Sequence, residues 1–282
     1  MSHELHRVEH GDGTPLFFIH GFTVDHHLLL PFEPAFTDRP GWRRIHLDLP
    51  GHGRTPAGTH PATADAVADT VADTIRRLAG DGPFALCGSS FGGLMARDMV
   101  ARFDDQVIGL ALVAPVATTL DRRRRAIHRT FDDGLTTAHF SGADPDLVTE
   151  FSDNAVDRSD AAWASFTRYV APGLVAHDRA FTRELARSFD LSVTPEDRFS
   201  TFDRPALVIT GRQDSAVGYQ DQFDLLGSYP RMTYVAFDRA GHNVHLDQPD
   251  LTRALFGGWL DQMSTLSAPV GSSTTSRPAA RC

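Results

Sequence analysis

The sequence contains few cysteines and no long apolar run. Its 282 residues include two cysteines, too few for the disulfide framework of a small secreted protein. Cys87 ends a predicted buried strand and Cys282 is the last residue, so we expect no bridge and interpret Cys87 as a small buried hydrophobic residue. No apolar run is long enough to cross a bilayer, and the N-terminus lacks the apolar segment of a signal peptide. We therefore expect a soluble, cytoplasmic protein.

A basic surplus and internal repeats are also missing. The chain has 27 Lys and Arg residues against 36 Asp and Glu residues, which gives a formal net charge of -9. Nucleic acids and anionic membranes are bound by concentrated basic surfaces, so we expect neither as a partner. The sequence does not indicate an oligomeric state.

What is present is the composition of a globular α/β domain, with 41% hydrophobic and 22% charged residues. Short apolar runs alternate with helical patterns. This alternation predicts a doubly wound, mostly parallel sheet that binds ligands at the carboxyl ends of its strands. Thr63 and Gly80 are expected to cap the helix between the third and fourth strands. The predicted strands cover residues 6–10, 16–19, 44–48, 83–87, 107–113, 205–210 and 232–237.

The pattern changes between the fifth and sixth predicted strands. From about residue 121 to 200 there is no buried-strand run, and helical patterns are interrupted by glycine and proline. The run Arg122-Arg123-Arg124-Arg125 suggests an anion site, but the acids Asp132 and Asp133 that follow favour a solvated helix face. We predict an α/β core at residues 1–118 and 200–264, and an inserted helical cap at residues 119–199. We predict a disordered Ser/Thr/Pro/Ala-rich tail at residues 265–282.

The stretch Gly88-Ser89-Ser90-Phe91-Gly92 lies between a predicted strand and a predicted helix. In that context a Gly-x-Ser-x-Gly motif indicates a nucleophile elbow, in which the serine is held at the tip of a tight and strained turn. The residues two positions away must then be small, and Gly88 and Gly92 meet this requirement. On its own, the motif more often marks an ordinary Gly/Ser-rich βα turn, and the other segments of the chain raise its significance.

Three further segments follow predicted strands. His20-Gly21-Phe22 follows the second strand, and its glycine permits a sharp turn that leaves the Phe22 amide facing a cavity. A plain strand-end turn would have the same sequence. Asp214 and His242 follow the last two strands. They matter because a serine hydroxyl needs an imidazole base, which in turn must be oriented by a buried carboxylate.

Together these segments resemble those of an α/β-hydrolase-fold serine hydrolase with a helical cap, whose triads follow the chain order Ser, Asp, His. The resemblance implies that Ser90 attacks the substrate, that His242 is the base and that Asp214 orients it. It also implies that the amides of Phe22 and Phe91 form the oxyanion hole. The matching segments are His20-Gly21-Phe22, Asp48-Leu49-Pro50-Gly51-His52-Gly53, Gly88-Ser89-Ser90-Phe91-Gly92-Gly93, Gly211-Arg212-Gln213-Asp214 and Gly241-His242.

Other residues compete for these roles. In this family the acid can instead follow the strand after the elbow, but Pro115-Val116-Ala117 contains no carboxylate and Asp121 is late. Asp238 is too close to His242 along the chain to orient it, and His245 does not match the family's position.

Substrate-binding residues are predicted from their place in the chain. We expect His20 and His26 near the mouth of the site, and Phe140 and Trp163 in the cap, although core positions of amphipathic helices would look the same. Asp48 is expected to fix its own Gly-rich loop through backbone hydrogen bonds. No cofactor is expected, and no metal site, because carboxylate–His spacing of the zinc type is missing.

The nucleophile restricts the reaction. Epoxide hydrolases and haloalkane dehalogenases of this fold use Asp at the elbow, and Ser90 excludes them. We expect a small to mid-sized, partly hydrophobic carboxylic ester or lactone as the substrate, cleaved through an acyl-enzyme. A thioesterase or a carbon–carbon hydrolase of vinylogous diketones is an alternative, although Ser89 and Asn243 depart from the carbon–carbon hydrolase pattern. Non-catalytic binding proteins, lyases and synthases of this fold are further alternatives.

Overall fold

The computed structural model describes residues 4–59, 61–119, 122–124, 130, 140 and 142–266, and its centre is a seven-stranded sheet. The strand order is β1-β3-β2-β4-β5-β6-β7. The edge strand β1 runs antiparallel to β3, and all other neighbouring strands are parallel. The strands are β1 (Arg7–His10), β2 (Thr14–Ile19), β3 (Trp42–Leu47), β4 (Phe84–Ser89), β5 (Val107–Val113), β6 (Ala206–Gly211) and β7 (Met232–Phe237).

The central strands are mostly apolar and buried because both faces of the sheet are covered. Every residue of β4 and of β6 is buried. Cys87 lies within β4 as a buried free thiol, and burial raises the pKa of that thiol well above its usual value. This agrees with its interpretation as a small hydrophobic residue.

Helices connect the strands and cover the sheet. The Thr63 hydroxyl accepts a hydrogen bond from the Ala66 amide at the start of α1, and Gly80 ends that helix with φ of 58°. Both caps are those predicted. In the described part of the chain, no helix is long and apolar enough to cross a membrane. The α-helices are α1 (Ala64–Ala79), α2 (Phe91–Phe103), α3 (Pro145–Asn154), α4 (Asp160–Tyr169), α5 (Ala171–Ala176), α6 (Arg179–Leu185), α7 (Gln220–Asp224), α8 (Val244–Asp247) and α9 (Pro249–Leu266).

The segment between β5 and β6 contains α3 to α6 and is helical where it is described. Two of the prolines that interrupt the helical patterns, Pro145 and Pro172, lie in the first turns of α3 and α5, where a missing backbone N–H costs nothing. Asp132, Asp133 and the predicted tail from residue 267 onward lie outside the described residues. The division into core, cap and tail stays a prediction.

A 3₁₀ helix over His26–Phe36 was not expected from the sequence. It contains Pro31 and Pro34 and buries one apolar side, including Leu29 and Phe32. The Asp25 carboxylate caps its start by accepting from the His27 amide at 3.0 Å. This helix packs against α9 and leads the chain from the loop after β2 towards β3.

Candidate active site

The loops after β2, β4, β6 and β7 meet at one edge of the sheet. In the register of the sheet, Ile19 pairs with Gly88, and Gly211 pairs with Phe237, so the carboxyl ends of these strands lie side by side. The loops that follow carry Phe22, Ser90, Asp214 and His242. This is the edge at which ligands bind in open parallel sheets.

Ser90 lies in the turn between β4 and α2 with φ of 51° and ψ of -115°. A positive φ is strained for a residue with a side chain, and it is maintained here by the close packing of the two flanking glycines. A methyl group on Gly88 would lie 2.3 Å from the Gly92 carbonyl oxygen, and one on Gly92 would lie 2.0 Å from the carbonyl oxygen of Ile19. Neither position has room for a side chain, which is the steric requirement of the predicted elbow.

The side chains of Ser90, His242 and Asp214 form a continuous hydrogen-bonded chain. Nε2 of His242 lies 3.0 Å from Oγ of Ser90, and Nδ1 of His242 lies 2.9 Å from Oδ2 of Asp214. Because a carboxylate only accepts hydrogen bonds, Nδ1 carries the proton and Nε2 is the acceptor for the Ser90 hydroxyl. This tautomer is the one that can remove a proton from the serine.

Asp214 is held in place by the backbone. It is fully buried, and its Oδ1 accepts hydrogen bonds from the amides of Ala216 at 2.8 Å and Val217 at 2.9 Å. These two bonds fix the carboxylate plane and leave Oδ2 directed at His242. The orientation of the imidazole therefore depends on the loop after β6.

The environment of His242 favours its protonated form. Burial acts to lower the pKa of His242, but the neighbouring Asp214 carboxylate outweighs burial and raises this pKa above its ordinary value of 6.5. The positive charge of Arg123 opposes the increase. An imidazolium formed during a reaction would be stabilised by the same carboxylate.

The competing residues have other partners. His245 is buried and its Nε2 donates to the carbonyl oxygen of Leu28 at 2.8 Å, while burial lowers its pKa to about 4. Asp238 is exposed and accepts from the Gln213 side chain at 3.0 Å. Neither takes part in the hydrogen-bonded chain that contains Ser90.

Asp48 organises the loop that follows β3. Its buried carboxylate accepts from the amides of His26 and Arg54 and from the rings of His6 and His26, at 2.8 to 3.0 Å. Burial acts to raise the pKa of Asp48, yet these hydrogen bonds hold it well below its usual range. The structure thus places Asp48 among backbone donors, as the sequence analysis expects.

Two backbone amides beside Ser90 are available to a ligand. Within the described residues, neither the Phe22 amide nor the Phe91 amide donates a hydrogen bond. Phe91 is the first residue of α2, and a methyl group on Gly21 would lie 3.2 Å from Cβ of Ser90, so both amides belong to segments that contact the serine. Free N–H groups in this place are what an oxyanion requires.

A cavity of about 390 Å³ opens above these groups, a size that suits a small or mid-sized ligand. Its walls come from the strand-end loops and from the helices between β5 and β6. The polar side includes Ser90, His242, Asn243 and Asn154, and the apolar side includes Val24, Leu28, Phe151, Phe166, Val170, Leu174, Phe189 and Val217.

The four predicted substrate-binding residues are not among the described residues that line the cavity. Phe140 and Trp163 pack one layer behind its wall: their rings lie 6.0 and 5.2 Å from the ring of Phe151, which does line it. His20 holds the strand-end loop together, because its Nε2 accepts from the Leu49 amide at 2.9 Å. His26 is bound to Asp48.

Two groups of side chains outside the cavity bring possible metal ligands together. Ligand atoms of His6, His26 and Asp48, and those of Asp25, His26 and His27, lie within 4.8 Å of one another. In both groups a histidine Nδ1 donates to a carboxylate at 2.8 to 2.9 Å. The carboxylates of both groups therefore already accept hydrogen bonds from the histidine N–H groups.

The arginine run divides into residues with different surroundings. Arg124 is exposed and forms ion pairs with Asp221 and Asp224, and Arg122 is also exposed. Arg123 instead lines the cavity. The sequence did not predict that Arg123, Phe151 or Phe189 lines the cavity, since a run of four arginines does not indicate which member faces inward.

The comparison of the sequence with protein families decides the class. Residues 14–249 match the family model described as alpha/beta hydrolase fold. The chain belongs to the α/β-hydrolase family. Both the predicted fold class and the predicted class of enzyme, an α/β hydrolase, are thereby confirmed.

Several named enzymes and one solved structure resemble this chain over nearly their whole length. An (E)-2-((N-methylformamido)methylene)succinate hydrolase of Acinetobacter baylyi is 24% identical over 258 residues, covering 91% of this chain and 94% of the relative. A pimeloyl-(acyl-carrier protein) methyl ester esterase of Legionella pneumophila is 23% identical over 259 residues, covering 88% and 95%. The crystal structure of an α/β superfamily hydrolase from Oenococcus oeni superposes with a TM-score of 0.85 at 28% identity, covering 93% of this chain and 97% of that one.

Proposed function

We propose that this α/β hydrolase is a serine esterase that cleaves a small to mid-sized, partly hydrophobic carboxylic ester or lactone through an acyl-enzyme. The observation that carries the proposal is the hydrogen-bonded chain from Ser90 through His242 to Asp214. Ester chemistry is supported by the Legionella pneumophila relative, which is named a methyl ester esterase. The cavity above Ser90 has the volume for such a substrate.

In the first half of the reaction Ser90 is the nucleophile. His242 removes the hydroxyl proton through Nε2 as Oγ attacks the ester carbonyl carbon. The carbonyl oxygen becomes an oxyanion, which accepts hydrogen bonds from the amides of Phe22 and Phe91. His242 then gives its proton to the leaving alcohol, and Ser90 remains acylated.

In the second half water takes the place of the alcohol. His242 removes a proton from the water, the hydroxide attacks the acyl carbon, and the proton returns to Oγ of Ser90 as the acid leaves. Throughout, Asp214 keeps the proton of Nδ1 in place and stabilises the imidazolium. The helices between β5 and β6 act as the cap, because they supply the apolar wall that limits access of water.

A fluorophosphonate probe tests the assignment of the nucleophile. The folded protein is expected to gain one covalent adduct, which peptide mass spectrometry places on Ser90, and Ser90→Ala is expected to abolish it. Ser89→Ala is the matched control, since it removes the adjacent hydroxyl and keeps the adduct. A folded wild-type protein that takes up no probe would favour a non-catalytic binding protein.

The pH dependence of kcat/KM is expected to report His242. The base must be neutral to accept the serine proton, and its pKa is raised above 6.5, so activity on a neutral ester is expected to fall as the pH decreases through a value above 6.5. Asp247 is a second group in this range, because burial raises its pKa to about 7. The Asp247→Asn variant separates the two: the acidic limb stays if it belongs to His242, and it disappears if Asp247 is responsible.

A further inference from the structure

Four non-glycine residues in the described part of the chain have a positive φ, and all four follow the carboxyl ends of strands. Ser90 is one, and the others are Thr23 after β2, Ala114 after β5 and Arg239 after β7, with φ of 62°, 42° and 56°. Strained backbone of this kind is concentrated at functional sites. Thr23 is the β-branched residue of the four, for which a positive φ is a genuine outlier. Since glycine would adopt this conformation without strain, a threonine here indicates a role for the side chain.

The turn formed by Phe22 and Thr23 lies against the proposed nucleophile. A methyl group on Gly21 would lie 3.2 Å from Cβ of Ser90 and 3.7 Å from Cγ2 of Val24. The chain thus reverses direction at Thr23, and the side chain of Val24 returns to the residue that precedes the turn. All four residues of this segment line the cavity. The left-handed residue is therefore part of the segment that carries the Phe22 amide past Ser90.

Three contacts hold the turn in this conformation. The Thr23 hydroxyl donates a hydrogen bond to the Phe22 carbonyl oxygen at 2.7 Å. The buried Asp25 carboxylate caps the 3₁₀ helix that follows. Helix α5 packs against the backbone, because a methyl group on Gly173 would lie 2.4 Å from both Cα of Val24 and the amide nitrogen of Asp25. The turn therefore has no room to relax toward α5 while that helix is in place.

The direction of the Phe22 amide depends on this turn. Within the described residues that amide donates no hydrogen bond, so no partner of its own fixes its direction. The backbone of the turn sets it instead, because a change of φ at one turn residue rotates the neighbouring peptide planes. An oxyanion donor is effective when it already points to the position where the charge develops, since reorientation during the reaction costs rate.

We propose that Thr23 is a positioning residue, whose left-handed conformation holds the Phe22 amide in the direction that the oxyanion requires. This inference rests on the proposed esterase function and adds to it the residue that shapes its oxyanion hole. Thr23 acts through the backbone, since its hydroxyl is bonded to the Phe22 carbonyl oxygen. Gly173 assists from α5, so the helices that form the apolar wall of the cavity also stabilise the oxyanion hole.

Substitutions that differ in their tolerance of a positive φ test the inference, with p-nitrophenyl butyrate as the substrate. Thr23→Val keeps the β-branched shape without the hydroxyl, so the turn is expected to relax to a negative φ. We expect kcat to fall by about 30-fold, less than for complete loss of an oxyanion donor, and KM to stay within about threefold. Thr23→Asn is expected to restore most of kcat, because asparagine tolerates the left-handed region and can bond its own backbone. Gly173→Ala, which presses on the turn from α5, is expected to lower kcat as Thr23→Val does.

Inhibition by the trifluoromethyl ketone with the same propyl group reports on the oxyanion hole itself. Oγ of Ser90 adds to the ketone carbon, its proton moves to Nε2 of His242, and the carbonyl oxygen becomes an oxyanion in a hemiketal. The inhibition constant of Thr23→Val is therefore expected to rise by about the factor by which kcat/KM falls. A substitution that only destabilises the fold would lower the amount of active enzyme and leave this constant unchanged.

The matched control is Thr70→Val on α1, where the hydroxyl donates to the Ala66 carbonyl oxygen at 2.9 Å. It is the same substitution at a helical position, and it is expected to leave kcat and the inhibition constant unchanged. Circular dichroism shows whether each variant is folded. If Thr23→Val does not fold, Gly173→Ala takes its place in the comparison.

The outcomes separate this inference from the function on which it rests. If the folded variant binds the ketone as tightly as the wild type, or if Thr23→Asn loses as much activity as Thr23→Val, the positioning role is refuted while the esterase function stands. If the wild type hydrolyses no ester and the fluorophosphonate probe does not label Ser90, both proposals fail. An inhibition constant that rises in Thr23→Val and recovers in Thr23→Asn supports the positioning role.

Discussion

Ser90→Ala is expected to lower kcat by about 10⁵- to 10⁶-fold, and His242→Ala and the double variant are expected to lose about as much. The reason is the geometry: the two side chains are 3.0 Å apart, and in the proposed mechanism they share one proton transfer. Removing the second side chain after the first is therefore expected to cost little more activity. Stopped assays over long incubations with a p-nitrophenyl ester, with active-site titration of the wild type, measure this range.

The double variant makes the prediction specific. Independent contributions would multiply, and the double variant would then be far slower than either single variant. Such multiplication, or a loss in Ser90→Ala below about 100-fold, would contradict the shared role of the pair. Circular dichroism of the three variants controls for folding.

Asp214→Asn is expected to lower kcat by about 10⁴-fold with little change in fold. The amides of Ala216 and Val217 both donate to Oδ1. An asparagine in this place satisfies them with its oxygen and therefore turns its NH₂ group toward His242. Nδ1 must then accept, the ring proton moves to Nε2, and the imidazole can no longer take the proton of Ser90.

The control for this variant is Asp238→Asn, which removes an exposed carboxylate on the loop after β7 that is bonded to Gln213. It is expected to keep kcat within about threefold, as surface substitutions usually have small effects. The tautomer itself can be read from the nitrogen shifts of His242 in NMR spectra. A variant Asp214→Asn with Nδ1 still protonated would refute the argument even if its activity were low.

Those parts of the fold that depend on buried strands could be predicted from the sequence. A short continuous apolar run, such as the one ending at Ile19, is typical of a strand in a parallel sheet. Both faces of such a sheet are covered by helices, so every side chain of the strand is buried. The carboxyl ends of β4 and β6 then place Ser90 and Asp214 at one edge without further information. The 3₁₀ helix containing Pro31 and Pro34 was missed, since two prolines in eleven residues argue against an α-helix and carry no periodic signal.

The residues that line the cavity could not be predicted from the sequence, because they depend on how the helices dock. Trp163 and Phe166 are three positions apart on α4, and helical periodicity places both on one apolar side. Only the docking of α4 decides that Phe166 reaches the cavity while Trp163 packs behind it. For Arg123 the pattern even favoured the wrong environment, because its neighbours Arg122 and Arg124 are exposed.

The separation of Ser90 from His242 along the chain has a consequence for biosynthesis. These two residues are 152 positions apart in the sequence, and Asp214 lies 28 positions before His242. In the proposed mechanism, a nascent polypeptide that already contains Ser90 therefore has no base for this serine until the segment after the last strand has emerged and docked. Truncated or partly folded copies that lack this segment are expected to lack the esterase activity proposed for the complete fold.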